Sequence, residues 1–188
     1  YNEVFKKAAM ETQHSFSING GSEKTTYMAS LAYLFQDGLS QEKNYERYNG
    51  RVNLDSKIAN WVSAGINASA YRGINNDEYS GFGSLLQWAN RIPPTVPIYN
   101  EDGSFHFNGL DNPVANQGNT GISRTMDQQL NATAYLNITP IEGLSIKGLY
   151  NLRHDYRETY SFKKNYVYGN ETSNKDSGKR EGSRYHYN

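Results

Sequence analysis

The sequence predicts an all-β protein: an antiparallel sheet whose strands are long enough to cross a membrane, with one long loop on one rim. Three observations predict it. The first is residues 25–38, TTYMASLAYLFQDG, where Tyr27, Ala29, Leu31, Tyr33 and Phe35 are all apolar or aromatic and the intervening positions are mixed. Side chains on a strand point alternately to opposite faces, so this is a strand with one apolar face. At about 3.3 Å per residue and a tilt of about 40°, Tyr27 to Phe35 covers about 20 Å of membrane normal, close to the roughly 25 Å apolar band of an outer-membrane barrel. The second is loop length: connections around Gly21, Lys57 and Glu142 are short, whereas those near Ser40, over residues 73–124 and over residues 163–182 are longer. Short turns on one rim and long loops on the other are a barrel pattern. The third is composition, with Tyr 16 and Gly 17 against a mean hydropathy of −0.83. No apolar run approaches the roughly 18 residues of a membrane helix, a test that barrel strands escape because every second residue is free to be polar.

Taken in order, residues 4–10 suggest a short helical turn. His14, Phe16 and Ile18 then alternate with Ser15, Ser17 and Asn19 as a first strand, and Gly20-Gly21-Ser22-Glu23 is turn chemistry. Residues 25–36 return as the second strand, followed by a connection from Asp37-Gly38 to about Tyr45. In the third, Tyr48, Gly50, Val52 and Leu54 oppose Arg47, Asn49, Arg51, Asn53 and Asp55. A turn at residues 56–60 leads past Trp61, whose amphipathic ring suits a membrane interface, into a fourth strand of Val62, Ala64, Ile66, Ala68 and Ala70. The long segment 73–124 holds four of the five prolines, with room for a short helix over residues 80–90, ended by Pro93-Pro94, and a pairing of Ile98-Tyr99 with Phe105-His106-Phe107. Leu130, Ala132, Ala134, Leu136 and Ile138 mark a fifth strand, a turn covers residues 139–143, and Leu144, Ile146, Gly148, Tyr150, Leu152 and Tyr156 mark a sixth. After a polar segment over residues 170–182, residues 183–188 read as the start of a seventh.

Two faces follow. Tyr27, Ala29, Leu31, Val52, Leu54, Val62, Ile66, Leu130, Ala134, Leu136 and Ile146 are expected to face lipid; Arg51, Asn53, Asn67, Asn131 and Lys147 are expected to face a lumen. About seven strands are fewer than the eight of the smallest single-chain barrels, so an open sheet is expected. A soluble or cell-surface carbohydrate-binding β-sandwich uses the same alternation and is the alternative; strand length and loop segregation favour the barrel.

Lys+Arg 19 against Asp+Glu 19 leaves no electrostatic footprint for nucleic acid, and Cys 0 removes disulfides and thiolate metal sites. The start YNEVF lacks a signal peptide, and both ends read as cut, so an internal piece, residues 1–188 of a longer barrel domain, is expected.

The tract SINGGSEKTTY (residues 17–27), followed by Tyr33 and Gln36-Asp37-Gly38, then RYNGRVNLD (residues 47–55) and Trp61, resembles the SusC/RagA-type TonB-dependent outer-membrane transporters of Bacteroidota, as does PPTVPIYNEDGS (residues 93–104). The resemblance covers most of residues 1–160. It implies a barrel of about 22 strands, of which this chain holds part, without the plug, the TonB-contacting segment or the signal peptide. It further implies an outer-membrane location, TonB-driven import of oligosaccharides or peptides, a SusD-like surface lipoprotein over the extracellular side, and contact with outer-membrane lipid. No cofactor and no enzymatic activity are implied.

Candidate chemistry is sparse. His14, His106, His154 and His186 share no metal or triad spacing, and Asn100-Glu101-Asp102-Gly103 lacks the further ligands of a calcium loop and reads as a turn. No nucleophile and base are brought together. The inward charges Arg47, Arg51, Lys147, Arg153 and Arg157 are expected to pair with Asp55, Asp155 or a plug. Trp88, Asn90, Arg91, Tyr99, Asp102 and His106, all in the long extracellular loop, are the candidate substrate-binding set: aromatic rings stack on sugars, and amides and charges bond hydroxyls. Loop packing is the competing role for each.

Overall fold

The computed structural model describes residues 4–106, 112–117, 121–163, 166–168, 171–173 and 184–187. Its strands are β1 (Glu11–Gly21), β2 (Thr25–Asp37), β3 (Asn44–Ala59), β4 (Val62–Glu78), β5 (Gly121–Ile141), β6 (Leu144–Lys163), the short β7 (Tyr166–Tyr168) and β8 (Glu171–Ser173), and β9 (Arg184–Tyr187); two helices, α1 (Phe82–Arg91) and α2 (Pro113–Asn116), lie between β4 and β5. Seven strands form one sheet in the order β1-β2-β3-β4-β5-β6-β9, and β7 and β8 pair separately. Every pairing is antiparallel. β1 and β9 lie at opposite ends of the order, so the sheet is open, as expected.

The register sorts the faces. Residues opposite each other in an antiparallel pair share a face, and the row Phe16–Leu31–Gly50–Ala70–Leu130–His154 crosses six strands. Its neighbours are Ile18–Ala29–Val52–Ala68–Ala132–Leu152 on one side and His14–Tyr33–Tyr48–Arg72–Gln128–Tyr156 on the other. The residues expected to face lipid all fall on this side. The alternate rows, such as Ser17–Ser30–Arg51–Ser69–Asn131–Arg153, carry the expected polar set. A sandwich would cover the apolar rows with a second sheet, yet Phe16 and Leu31 are each 67% exposed and Tyr150 is 70% exposed. The sandwich alternative is therefore set aside.

The strands outrun their sequence signal. β4 continues to Glu78 and β5 begins at Gly121, so the long connection spans residues 79–120 rather than 73–124. Alternation fades over Gly73, Ile74, Asn75 and Asn76, but the ladder with β5 continues to Glu78↔Ile122. The turns shrink likewise, to Asn60-Trp61 and Glu142-Gly143, the latter with Gly143 at φ 82°. They do not share one ladder row: β3 runs past Ser56, the partner of Thr25, to Ala59, and β5 runs past Ile138, the partner of Val62, to Ile141. Such stagger is what tilted barrel strands require. Residues 4–10 are not helical; the Lys6 amide donates to Leu39 O and Met10 O accepts from Asp37 N, which holds the segment against the β2–β3 connection instead. The predicted polar segment over residues 170–182 lies largely outside the described residues, apart from β8; the predicted last strand is β9.

Candidate functional site

The long connection is a packed structure on one rim. Gly81, at φ 76°, opens α1, and Leu85 is 1% exposed beneath it. Positions 85, 88 and 89 share one side of a 3.6-residue helix, which leaves Trp88 half-buried and Asn90 and Arg91 exposed. Arg91 closes the last turn, where a cation suits the helix dipole. The predicted helix is thus present, shifted by one or two residues.

Beyond Pro93-Pro94 the chain doubles back as expected. Tyr99 bridges Phe105, their rings stack with centroids 5.3 Å apart, and His106 N donates to Ile98 O at 2.9 Å. Gly103, at φ 82°, makes the turn that Asn100 and Ser104 close. Asp102 accepts from the Ser104 amide (2.9 Å) and hydroxyl (2.6 Å), and those bonds hold its carboxyl below the usual carboxylate range. His106 Nδ1 and Asn100 Oδ1 lie 2.7 Å apart. Phe107 lies outside the described residues. Asn112 ties this hairpin to α2: its amide donates to Ile98 O and His106 O, and its Oδ1 caps the helix by accepting from Val114 N and Ala115 N.

The rim is anchored to the sheet from several sides. Gln117 Nε2 donates to Val4 O at 2.6 Å, Phe5 meets Phe82 edge-on at 6.1 Å, and Lys43 Nζ lies 5.4 Å from the Phe82 ring centroid while pairing with Asp77 at 2.9 Å. Val4 and Ala115 are buried. Glu78, at the end of β4 beyond the apolar rows, is 2% exposed, and both its carboxyl oxygens lack a hydrogen-bond partner among the described residues. Burial, and then the neighbouring Asp77, push its pKa up.

The six predicted site residues thus divide. Trp88, Asn90 and Arg91 lie on α1; Tyr99, Asp102 and His106 lie in the hairpin, where Asp102 and His106 already serve its turn.

The polar face carries a second feature. A hollow of about 410 Å³ lies over Ser30, Asn49, Arg51, Ser69, Gln129 and Asn131. Small Ser30 and Ser69, in one row on either side of Arg51, leave the space. The signal for it was alignment of small polar residues across strands, which appears only once the register is known. The inward charges are partly neutralised: Arg153 pairs with Asp155 at 2.7 Å, Arg157 with Asp127, and Lys147 Nζ lies 5.4 Å from the Tyr135 ring centroid. Asp55 accepts from the Tyr135 hydroxyl rather than from an arginine. This arrangement can bond hydroxyls, amides and carboxylates. No three acidic or histidine side chains among the described residues gather to hold a metal ion.

No protein-family profile matches the chain. It is 33% identical over 145 residues, 72% of its length, to a TonB-dependent receptor of Formosa agariphila, of which those residues are 14%. It is 32% identical over 109 residues, 57% of its length, to the TonB-dependent receptor SusC of Bacteroides thetaiotaomicron, covering 11% of that protein. Among solved structures it resembles the RagAB peptide importer in its open-open state, with 26% identity and a TM-score of 0.69 over 88% of this chain and 20% of the importer chain. The chain spans less than a fifth of the length of these curated relatives. In residues, strand order and two-faced sheet, the chain belongs to the TonB-dependent receptors of the SusC and RagA type and forms a fragment of their barrel.

Proposed function

We propose that residues 1–188 form wall strands of an outer-membrane barrel of about 22 strands that imports large nutrients, glycans or peptides, with energy from TonB. The apolar rows face lipid, the polar hollow faces the lumen and its plug, and the rim built from residues 79–120 lies outside the cell. A SusD-like lipoprotein covers that rim, and Trp88, Asn90, Arg91, Tyr99, Asp102 and His106 meet substrate or lid there. The protein carries out transport and no covalent chemistry. The observation that carries this reading is the seven-stranded open sheet with one exposed apolar face and one polar face, together with relatives named as receptors and an importer.

The rim is removable, which supplies the test. Glu78 pairs with Ile122 and Tyr79 N donates to Gly121 O, so the strand ends that flank the connection lie side by side. Replacing residues 80–118 in the full-length transporter by a short turn should leave the barrel in the membrane while abolishing uptake or lipoprotein association. Survival of both would refute the assignment of the rim as the working surface.

A further inference from the structure

The apolar face holds one feature that general lipid contact does not require. A groove of about 530 Å³ lies over Gly50 and Ala70, with Leu31 and Leu130 on its flanks and Tyr48 and Arg72 at its rim end. The ladder fixes this layout: Leu31, Gly50, Ala70 and Leu130 share one row, and Tyr48 and Arg72 pair in the next row towards the long loops. The volume falls in the range of about 300–1,000 Å³ typical of small-ligand clefts.

Arg72 is the cation of an otherwise uncharged stretch of row, Tyr33–Tyr48–Arg72–Gln128–Tyr156. Among the described residues no carboxylate lies within ion-pair distance of it; its guanidinium donates to Met126 Sδ at 3.4 Å, a weak acceptor. The carboxylates of the next row, Glu46 and Glu158, accept instead from the Tyr48 and Tyr156 hydroxyls, each at 3.0 Å. Ten residues separate Val62 from Arg72 on β4; at about 3.3 Å each and a tilt of about 40° they rise about 25 Å, the full height of a barrel's apolar band. Arg72 therefore sits at headgroup level with an apolar channel running from it towards the bilayer centre.

We infer that this groove binds a phosphate-bearing membrane lipid, its phosphate on the Arg72 guanidinium and one acyl chain over Gly50 and Ala70. Arginine offers a planar fork of donors that fits a phosphate's oxygens, and the absence of side-chain bulk at Gly50 and Ala70 leaves the chain its place against the sheet. The inference rests on the apolar face being a lipid face.

The test uses the full-length transporter, purified in detergent and exposed to phosphatidic acid or phosphatidylcholine of identical acyl chains, with bound lipid counted by native mass spectrometry. The wild type should retain one phosphatidic acid in preference to phosphatidylcholine. Arg72→Gln should remove that preference, by about tenfold for one charge-assisted contact, and Ala70→Leu should weaken retention of both lipids while sparing the preference. Excess inorganic phosphate should not displace the lipid, because it gains nothing from the groove. Unchanged retention in either variant, or displacement by inorganic phosphate, would overturn the site. Outer-membrane fractionation and the heat-shifted gel mobility of a folded barrel are read on the same preparations. A protein that fails those has lost the barrel reading and this site with it, whereas an inserted barrel with unaltered lipid retention loses the site alone.

Discussion

Gly65→Ala is the substitution whose effect the geometry specifies most fully. Gly65 sits between Asp55 on β3 and Tyr135 on β5 in a single ladder row. The Tyr135 ring lies across it to donate to Asp55, and a Cβ at Gly65 would stand 2.5 Å from Tyr135 Cε1 and 2.5 Å from Asp55 Oδ1. Overpacking of this kind costs about 1–3 kcal/mol, whether the ring stays strained or swings away and abandons its hydrogen bond. Alanine in a strand interior recovers about 0.5–1 kcal/mol relative to glycine. The net expectation is a loss of about 1–2 kcal/mol. Once Tyr135→Ala has cleared the ring, the Asp55 carboxylate is free to turn aside, and the same Gly65→Ala should stabilise by about 0.5–1 kcal/mol. The cycle thus predicts a change of sign and a coupling of about 2 kcal/mol, within the range for residues in contact. Denaturant unfolding of the full-length barrel in lipid vesicles, followed by gel mobility, measures it. An alanine that costs the same in both backgrounds would refute the claim that Gly65 exists to let Tyr135 cross β4.

Two further outcomes test the placement of the faces and of the rim. Leu31→Arg should cost about 2–4 kcal/mol in the same unfolding assay if position 31 lies near the midplane, and a cysteine at 31 should resist a water-soluble thiol reagent that labels one at 53; the reverse pattern would invert the sheet. Because Glu78 has a raised pKa in the folded rim, stability there is complete below the ordinary carboxylate pKa and is lost as pH rises through the raised one. Glu78→Gln should therefore keep α1 protected at higher pH, read as hydrogen exchange corrected for its intrinsic rate; an unchanged pH profile would remove Glu78 as the cause.

Much of the sheet was legible because its signal is local. A period of two marks each strand wherever one face must be apolar, and the tracts 25–36, 47–55 and 130–138 kept that period without a break. It ceased to be legible where no apolar period runs, as from Asn75 to Glu78 and from Gly121 to Thr125, since there the backbone ladder is accompanied by polar side-chain pairs such as Asn76 with Asn44 and Thr125 with Thr159, which leave no alternation. The helix over residues 82–91 and the hairpin around Asp102-Gly103 were legible from proline and turn chemistry. The contacts that fix the rim were not: Gln117 meets Val4 across 113 positions of sequence, and no periodicity encodes such a meeting. The polar hollow was hidden for the same reason, since Ser30, Arg51, Ser69 and Asn131 align only through three successive registers.

Where the buried residues lie says which part of the chain depends on its surroundings. Among the described residues the buried apolar set is Val4, Leu34, Ile74, Leu85 and Ala115; Leu85 and Ala115 belong to the rim, and Val4 lies in the N-terminal segment held against it by Gln117. Between its ends the sheet has no interior: Leu31, Val52, Ile66 and Ile146 stand exposed on one side, and arginines and asparagines stand on the other. Among the described residues its backbone is satisfied by the ladder except along the outer edges of β1 and β9 and along β6 outside Asp155–Glu158, the four residues that β9 pairs; such unpartnered edges act as templates for association. Under the proposed function, hydrophobic stabilisation of those rows comes from the lipid around the closed barrel, because no described residue covers them. The rim carries its own small core, held by the Gln117, Phe5 and Lys43 contacts. Sheet and rim therefore fold for different reasons. Loss of the rim should leave the wall standing, while loss of the neighbouring strands should unmake the wall and spare little but the rim.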